Sequence, residues 1–491
     1  MEHAFDCRGM SRKYLRYNGD NLPYGRDDMP NGDIDLLAHL MRRAGFGASR
    51  DELEALSRKE YESVVDDLVH PERFPDIDED IVDRYDRSHG SIDRNIWMYR
   101  MINTGRPLNE KMTLFWHHLL ATGSSKSNSP HPSEIQIVMF RRYALSNVST
   151  LLREVSKDPA MIFWLDNNEN NKEQPNENYG RELLELFSMG VGNYTEDDVK
   201  ECARAFTGWS FQQPVPGTSP YGKYASHFVY RAEDHDEEEK SFLGEVGRLN
   251  GEDIIDVIVK QPAVARFISR HLYTFFVSDE PAVASWNEVP PQDPDAIDTL
   301  AQAYLESNGD LRCILSVLFN SDFFKDARFR RVKSPTELVT GVLKLTGTNK
   351  SLHPKVKNYF SVATGMGQTL YNPLTVEGWR TGPEWIDGGT LNERVNFAVN
   401  EVGDASQPGI QAIVERMAAN GGSLRPQEFV ERCLDLAGPV AVDNDTRNGL
   451  VAHAEPEGDV TFGTNEKRLE SAARVAKMLQ LIVATREYQF N

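Results

Sequence analysis

Two short amphipathic segments separated by glycines, in PNENYGRELLELFSMGVGNYTEDDVKECARAFTGW at Pro175–Trp209, constrain this chain more than any other feature. Leu183, Leu184 and Phe187 recur at the three- and four-residue spacing of a buried helical stripe. Asn176 or Asn178 can cap the start of that helix, because an asparagine oxygen accepts the unpaired amide hydrogens of a first turn. Gly190 and Gly192 stop it, since glycine enters left-handed backbone without a Cβ clash. Thr195 caps a second helix with Glu196, Asp197 and Asp198 in its first turn, where the helix dipole favours negative charge. Val199, Cys202, Ala203 and Phe206 form its buried stripe before Gly208. The stretch predicts a helical hairpin.

Arg181, Glu182 and Glu185 lie off the apolar stripe, the two acids one turn apart and able to approach each other. Burial and mutual repulsion can push two such carboxyls to different pKa values, which is what a general acid and base require. Carboxylates at this spacing are also common on ordinary solvated helix faces. Asp166–Asn178 (DNNENNKEQPNEN) precedes the hairpin and is rich in oxygen donors suited to a hard cation or sugar hydroxyls. A hydrated surface loop is the simpler reading of it.

Elsewhere the chain reads as further helices. Examples are Ile96–Ile102, Leu108–Leu120, Leu311–Asn320, Pro335–Thr346 and a final Glu466–Thr485 with Leu469, Ala473, Ala476, Leu479 and Val483 on its packed face. Leu151–Ala160 and Ile254–Ala263 both end an apolar helix at Pro-Ala, and proline opens the next helix rather than continuing the last. Alternation near His227–Tyr230 suggests a short hairpin or strand. The fold class expected is all-α: a globular assembly of helical hairpins with long irregular loops and at most a short β-hairpin. In chain order it divides into a loose arm (1–33), a helical unit with the signature hairpin (34–210) and a Pro/Gly/Tyr-rich insertion (211–250). A central helical unit (251–400) and a C-terminal helical unit (401–491) follow, the latter containing a mobile acidic excursion at Val440–Thr464.

A formal charge of −21 over 491 residues opposes nonspecific nucleic-acid binding and adhesion to anionic lipid. No stretch reaches the ~18 apolar residues of a membrane span. The first twenty residues contain no signal-peptide core, so as written the chain is expected in the cytoplasm; export with a partner or a different start would change that. The four cysteines lie far apart, which suggests neither a zinc site nor a disulfide framework. No cofactor is predicted, although a divalent cation held by Glu182, Glu185 and a histidine is an option.

Four further places carry candidate chemistry. Arg42 and Arg43 beside the Gly45–Gly47 turn can bind an anion, or simply flank a tight interhelix turn. His117 and His118 point about 100° apart on a helix and so cannot both ligate one metal; a structural histidine beside a tryptophan is the simpler reading. His235, Asp236 and Lys240 offer acid–base or anion-binding groups, or a solvated turn. Trp379 and Trp385 either stack on a ligand or pin the Asn372–Asp387 loop.

The hairpin stretch resembles the signature of the bacterial family catalogued as "domain of unknown function 1800". Further matches are HLMRRAGFGAS at His39–Ser49, FWHHLLAT at Phe115–Thr122, HDEEEKSFLG at His235–Gly244, NPLTVEGWRTGPEWI at Asn372–Ile386 and TREYQ at Thr485–Gln489. The resemblance implies an all-helical protein, often encoded beside a sulfatase- or phosphatase-like partner, and brings no catalytic residues with it. Two functions follow as expectations. The first is a binding or assembly scaffold that docks such a partner. The second is a hydrolase of a glycan, sulfated or phosphorylated substrate, with Glu182 and Glu185 as acid and base and Arg181 or His117 stabilising charge. Asn176, Asn178, His235, Lys240, Trp379 and Trp385 would then line the ligand site.

Overall fold

The computed structural model describes residues 34–83, 92–124, 126, 131–212, 226–281, 289–350, 358–419, 422–463 and 465–491. The expected N-terminal arm and residues 213–225 of the Pro/Gly/Tyr-rich insertion lie outside these residues. The chain is mainly helical. The described residues hold three short antiparallel strand pairs where one was expected: Trp209–Gln212 with His227–Tyr230, Lys240–Phe242 with Glu245–Gly247, and Ser423–Leu424 with Val460–Thr461. No described helix is long and apolar enough to cross a membrane.

The helices group into two compact units, each assembled from separated segments. The described part of the first comprises 109–323 and 370–379; that of the second comprises 34–108, 324–369 and 380–491. This grouping differs from the chain-order division drawn from sequence. In the first unit Phe115, Phe275, Phe276 and Phe319 meet edge-on, with centroids 5.0–5.3 Å apart for the pairs Phe115–Phe275, Phe275–Phe276 and Phe276–Phe319. The two Pro-Ala corners form as expected, Pro159 and Pro262 opening their helices. The helices before them, Val148–Ser156 and Gly251–Ile258, pack on each other and are joined by Arg153–Asp256 and Lys157–Glu252 ion pairs.

The second unit is built around the helix Pro335–Thr346, which packs on Gly388–Val402 and Pro408–Ala419; these in turn pack on Asn465–Ala484. On that last helix Val475, Leu479 and Ile482 set the buried stripe, whereas Leu469, 75% exposed, and Ala473 point away. Ala476, Leu479 and Val483 are buried as expected, whereas Leu469 and Ala473 lie ~100° or more from the stripe's centre at 100° per residue. The expected excursion at Val440–Thr464 is also corrected. Asp443 caps a helix, Asn444–Ala454, by accepting from the Thr446 amide at 2.8 Å, and Val460–Thr461 pairs with the distant strand. Cys202 and Cys433 are buried thiols, while Cys313 is disulfide-bonded, against the expectation from spacing.

His39, first residue of HLMRRAGFGAS, is fully buried with Nε2 3.0 Å from the Phe324 carbonyl oxygen. A carbonyl only accepts, so Nε2 carries the proton and the ring is neutral. Burial first, then the Arg43 and Arg42 charges, hold its pKa at about 2. The unfolded chain protonates this histidine below about 6.5 while the folded chain does not. The contribution of His39 is therefore intact above that pH and is lost at about 1.4 kcal/mol per pH unit as pH falls. His39→Gln keeps an N–H donor for Phe324. Between pH 7.5 and pH 5 the wild type should lose about 2 kcal/mol more than this variant, read from urea midpoints. Equal losses in the two proteins would contradict the assignment.

Candidate functional site

The hairpin forms as the sequence predicts. Asn176 caps Glu177–Glu185 by accepting from the Asn178 amide at 3.0 Å, which leaves Asn178 as an exposed first-turn residue. Thr195 and Asp198 form a capping box at the start of Glu196–Ala205. Gly190 and Gly192 take φ of 77° and 89° in the turn between. The helices close tightly at Gly180, where an added Cβ would lie 3.2 Å from the Ala203 amide nitrogen. Arg181 staples the outside: its guanidinium donates to Glu177 at 3.0 Å and to both oxygens of Glu196 at 2.9 and 2.8 Å.

Glu182 and Glu185 share an edge of the first helix. Burial raises the Glu182 carboxyl above its usual value, the Glu185 charge adds to this, Arg181 opposes it, and Glu377 adds further. Glu185 accepts a hydrogen bond from the Tyr194 hydroxyl at 2.9 Å. The acidic edge is thus a three-carboxylate neighbourhood, and Glu377 was not identified from sequence. Its signal was present: NPLTVEGW places a carboxylate directly before a glycine that must approach something closely.

That approach is to His118. Gly378 has φ 96°, and a Cβ there would lie 2.3 Å from the His118 carbonyl oxygen. The Trp379 amide donates to His118 Nδ1 at 3.1 Å, and the two rings lie nearly parallel with centroids 6.1 Å apart. His117 meets the Trp379 ring edge-on at 5.1 Å and is fully buried, with Phe140 and Tyr371 nearby. Burial, with a smaller effect of His118, holds the His117 pKa at about 3, so the ring is neutral at pH 7. A group with no exposed surface cannot meet a substrate in this conformation. His117 is a core residue.

The polar loop before the hairpin is not a hydrated surface loop throughout. Asn167 and Asn170 are buried, and their amides donate to the carbonyls of Phe206, Trp209 and Ala203, tying the loop to the end of the second helix. The HDEEEKSFLG motif is clamped to that same helix. The Leu243 amide donates to Asp198 at 2.9 Å, Ser241 to Glu201 at 3.2 Å, and Arg204 to Asp236 at 2.7 Å. His235 and Lys240, expected either as functional groups or in a solvated turn, are both buried. His235 Nδ1 donates to the Thr207 carbonyl at 2.9 Å, and the Lys240 ammonium donates to the carbonyls of Asp236 and Glu238. Burial holds the Lys240 pKa below its usual value.

Within the first unit, then, the second hairpin helix is tied to HDEEEKSFLG and FWHHLLAT to the Gly378–Trp379 turn. A family model described as "Protein of unknown function (DUF1800)" matches residues 39–490. The chain belongs to the DUF1800 family. No curated protein and no solved structure matches it.

In this DUF1800 chain the fold uses most of the ten candidate residues internally. Trp379 belongs to the first unit and Trp385 to the second, and both are buried, so each pins its loop. Asn176 is used as a cap, Arg181 as a staple, and His117, His235 and Lys240 as interior groups. Glu182 and Glu185 share an edge of the first helix, where burial raises the Glu182 carboxyl. Among the described residues no group of three or more His, Cys, Asp or Glu side chains is placed to hold a metal ion.

Proposed function

We propose that this chain works by binding: a helical scaffold that docks a partner protein, for which a sulfatase- or phosphatase-like protein is the candidate. The observation that supports this reading is how the polar residues of the family stretches are used. Arg181 joins helix to helix, Asp198 and Arg204 join helix to HDEEEKSFLG, and His118 joins FWHHLLAT to the Gly378–Trp379 turn. Residues spent on internal hydrogen bonds are set up to hold a surface in one conformation, which lowers the ordering cost of association. A hydrolase would instead need an acid, a base and an electrophilic group converging on an open cleft.

The raised Glu182 carboxyl beside Glu185 and Glu377 favours the second reading, hydrolysis with Glu182 as general acid. One variant separates the two. Glu182→Gln/Glu185→Gln removes the like-charge repulsion and should leave stability within about 1 kcal/mol of the wild type. Under the scaffold reading, co-expression with a sulfatase- or phosphatase-like protein yields a complex on size exclusion, and the double variant forms it equally well. The reading fails if the wild type forms no complex. It also fails if the wild type turns over an aryl sulfate, aryl phosphate or glycan and the folded double variant does not.

A further inference from the structure

A cavity of about 470 Å³ lies within the second unit, in the size range of small-molecule sites. Its walls come from the motif at the start of the unit (Arg42, Phe46–Asp51), one stripe of the Pro335–Thr346 helix, the Pro408–Ala419 helix and the segment around Tyr488. Glu337, Gly341 and Lys344 fall at i, i+4 and i+7 on their helix and so line one wall. A Cβ at Gly341 would meet nothing closer than the Phe46 carbonyl oxygen at 3.8 Å, and one at Gly47 would meet nothing within 4 Å. The walls are open there rather than packed. Phe46, Phe329, Leu345, Ile413 and Val440 make much of the lining apolar.

The charged part of the lining is cationic, in a protein of net charge −21. Its two acidic side chains are already committed, and the terminal residue Asn491 also lines the cavity. Asp51 pairs with Arg416, and Glu337 accepts from Arg331 at 2.9 and 2.7 Å. Arg50 pairs with Glu54 and Asp435. Lys333, Lys344 and Lys350 remain as the excess, beside Arg42, which also feels the Asp35 carboxylate. Arg42 donates to the Gly438 carbonyl at 2.7 Å, and Lys333 to the Tyr488 carbonyl at 2.6 Å, with its ammonium 3.9 Å from the Tyr488 ring centroid. At Lys333 the carbonyl and the aromatic face solvate the ammonium without neutralising it. Among the described residues Lys333 has no carboxylate within ion-pairing distance, and the Lys344 side chain makes no hydrogen bond or ion pair.

Holding such charges together in a partly apolar cavity is costly, and the acidity of the lysines reflects it. Burial, then the Arg42 and Arg394 charges, push the Lys333 pKa well below its usual value, with Glu337 opposing. Burial also lowers Lys344, against the attraction of Glu52 and with the help of Lys350. An anion entering the cavity would relieve this repulsion, and the low dielectric would strengthen each contact.

We propose that the cavity binds an amphiphilic oxyanion, a phosphate or sulfate monoester on an apolar body, with the head between Arg42 and Lys333 and the body against Phe46, Phe329 and Ile413. Lys344 and the exposed Lys350 draw the anion towards it. This site is independent of the docking reading and lies on none of the ten residues weighed there.

The test is calorimetric titration of the full chain with octyl phosphate, octyl sulfate, inorganic phosphate and octanol. The octyl esters should bind at least tenfold more tightly than either the inorganic anion or the alcohol. Lys333→Met should weaken the esters at least tenfold while leaving octanol unchanged. Lys344→Gln, at a half-buried position whose side chain makes no hydrogen bond, keeps the test open should Lys333→Met misfold, and should weaken them several-fold. Absence of ester binding, equal binding of inorganic phosphate or octanol, or ester affinity indifferent to Lys344→Gln would each overturn the proposal.

Discussion

Replacing Gly378 by alanine is expected to destabilise the first unit by about 3–5 kcal/mol, the sum of a left-handed backbone penalty and an overpacked contact. Its φ of 96° already disfavours any side chain, and the new methyl would stand 2.3 Å from the His118 oxygen and 2.5 Å from His118 Nδ1. His118 has no easy retreat, because its Nδ1 accepts from the Trp379 amide and its ring lies along the Trp379 indole. The damage would therefore spread to Trp379 and to His117 beneath it. Urea unfolding followed by tryptophan fluorescence measures the loss. Gly365→Ala is the control, since a Cβ at that helical glycine meets nothing within 4 Å and alanine should be neutral or stabilising by up to about 1 kcal/mol. A loss below 1 kcal/mol at Gly378 would remove the close approach from the account of this motif.

Glu337→Gln should cost the second unit about 3–5 kcal/mol, because removing one member of a buried ion pair leaves the other charge uncompensated. Both oxygens of Glu337 accept from Arg331, and the carboxylate also accepts from the Ser334 amide at 2.7 Å as the reciprocal half of a capping box. Arg331 and Glu337 are each less than a tenth exposed. The loss would also leave Lys333 and Arg394 without the one acid whose attraction opposes their depressed pKa values. Arg331→Met/Glu337→Met should recover most of the loss, ending within about 1–2 kcal/mol of the wild type, since apolar groups of similar volume often replace a buried pair at little cost. The remainder is the missing cap. A single variant as stable as the wild type in urea would mean that the pair is hydrated and the cavity electrostatics weaker than argued.

Much of the fold was legible before any coordinates. Thr195 caps its helix, Pro159 and Pro262 open helices, and Leu311–Asn320 and Pro335–Thr346 form over those same residues. The site was less legible. Glu182 and Glu185 were visible as a pair at helical spacing, yet Glu377 and Tyr194, which alter their surroundings, were not. The cationic cavity was missed in the same way: Arg42 stood out beside its glycine turn, but nothing local connects it to Lys333 or Lys344.

The letters alone determined the hairpin, its caps and its glycine turn, because a cap, a left-handed glycine and an apolar stripe act within one or two turns of backbone. Tertiary structure decided which polar groups the fold consumes and which it leaves to a ligand. His118 reaches Trp379 across 261 positions, and His39 reaches Phe324 across 285. No local pattern encodes such a partner, so burial and charge at those positions become known only once the distant segments have packed.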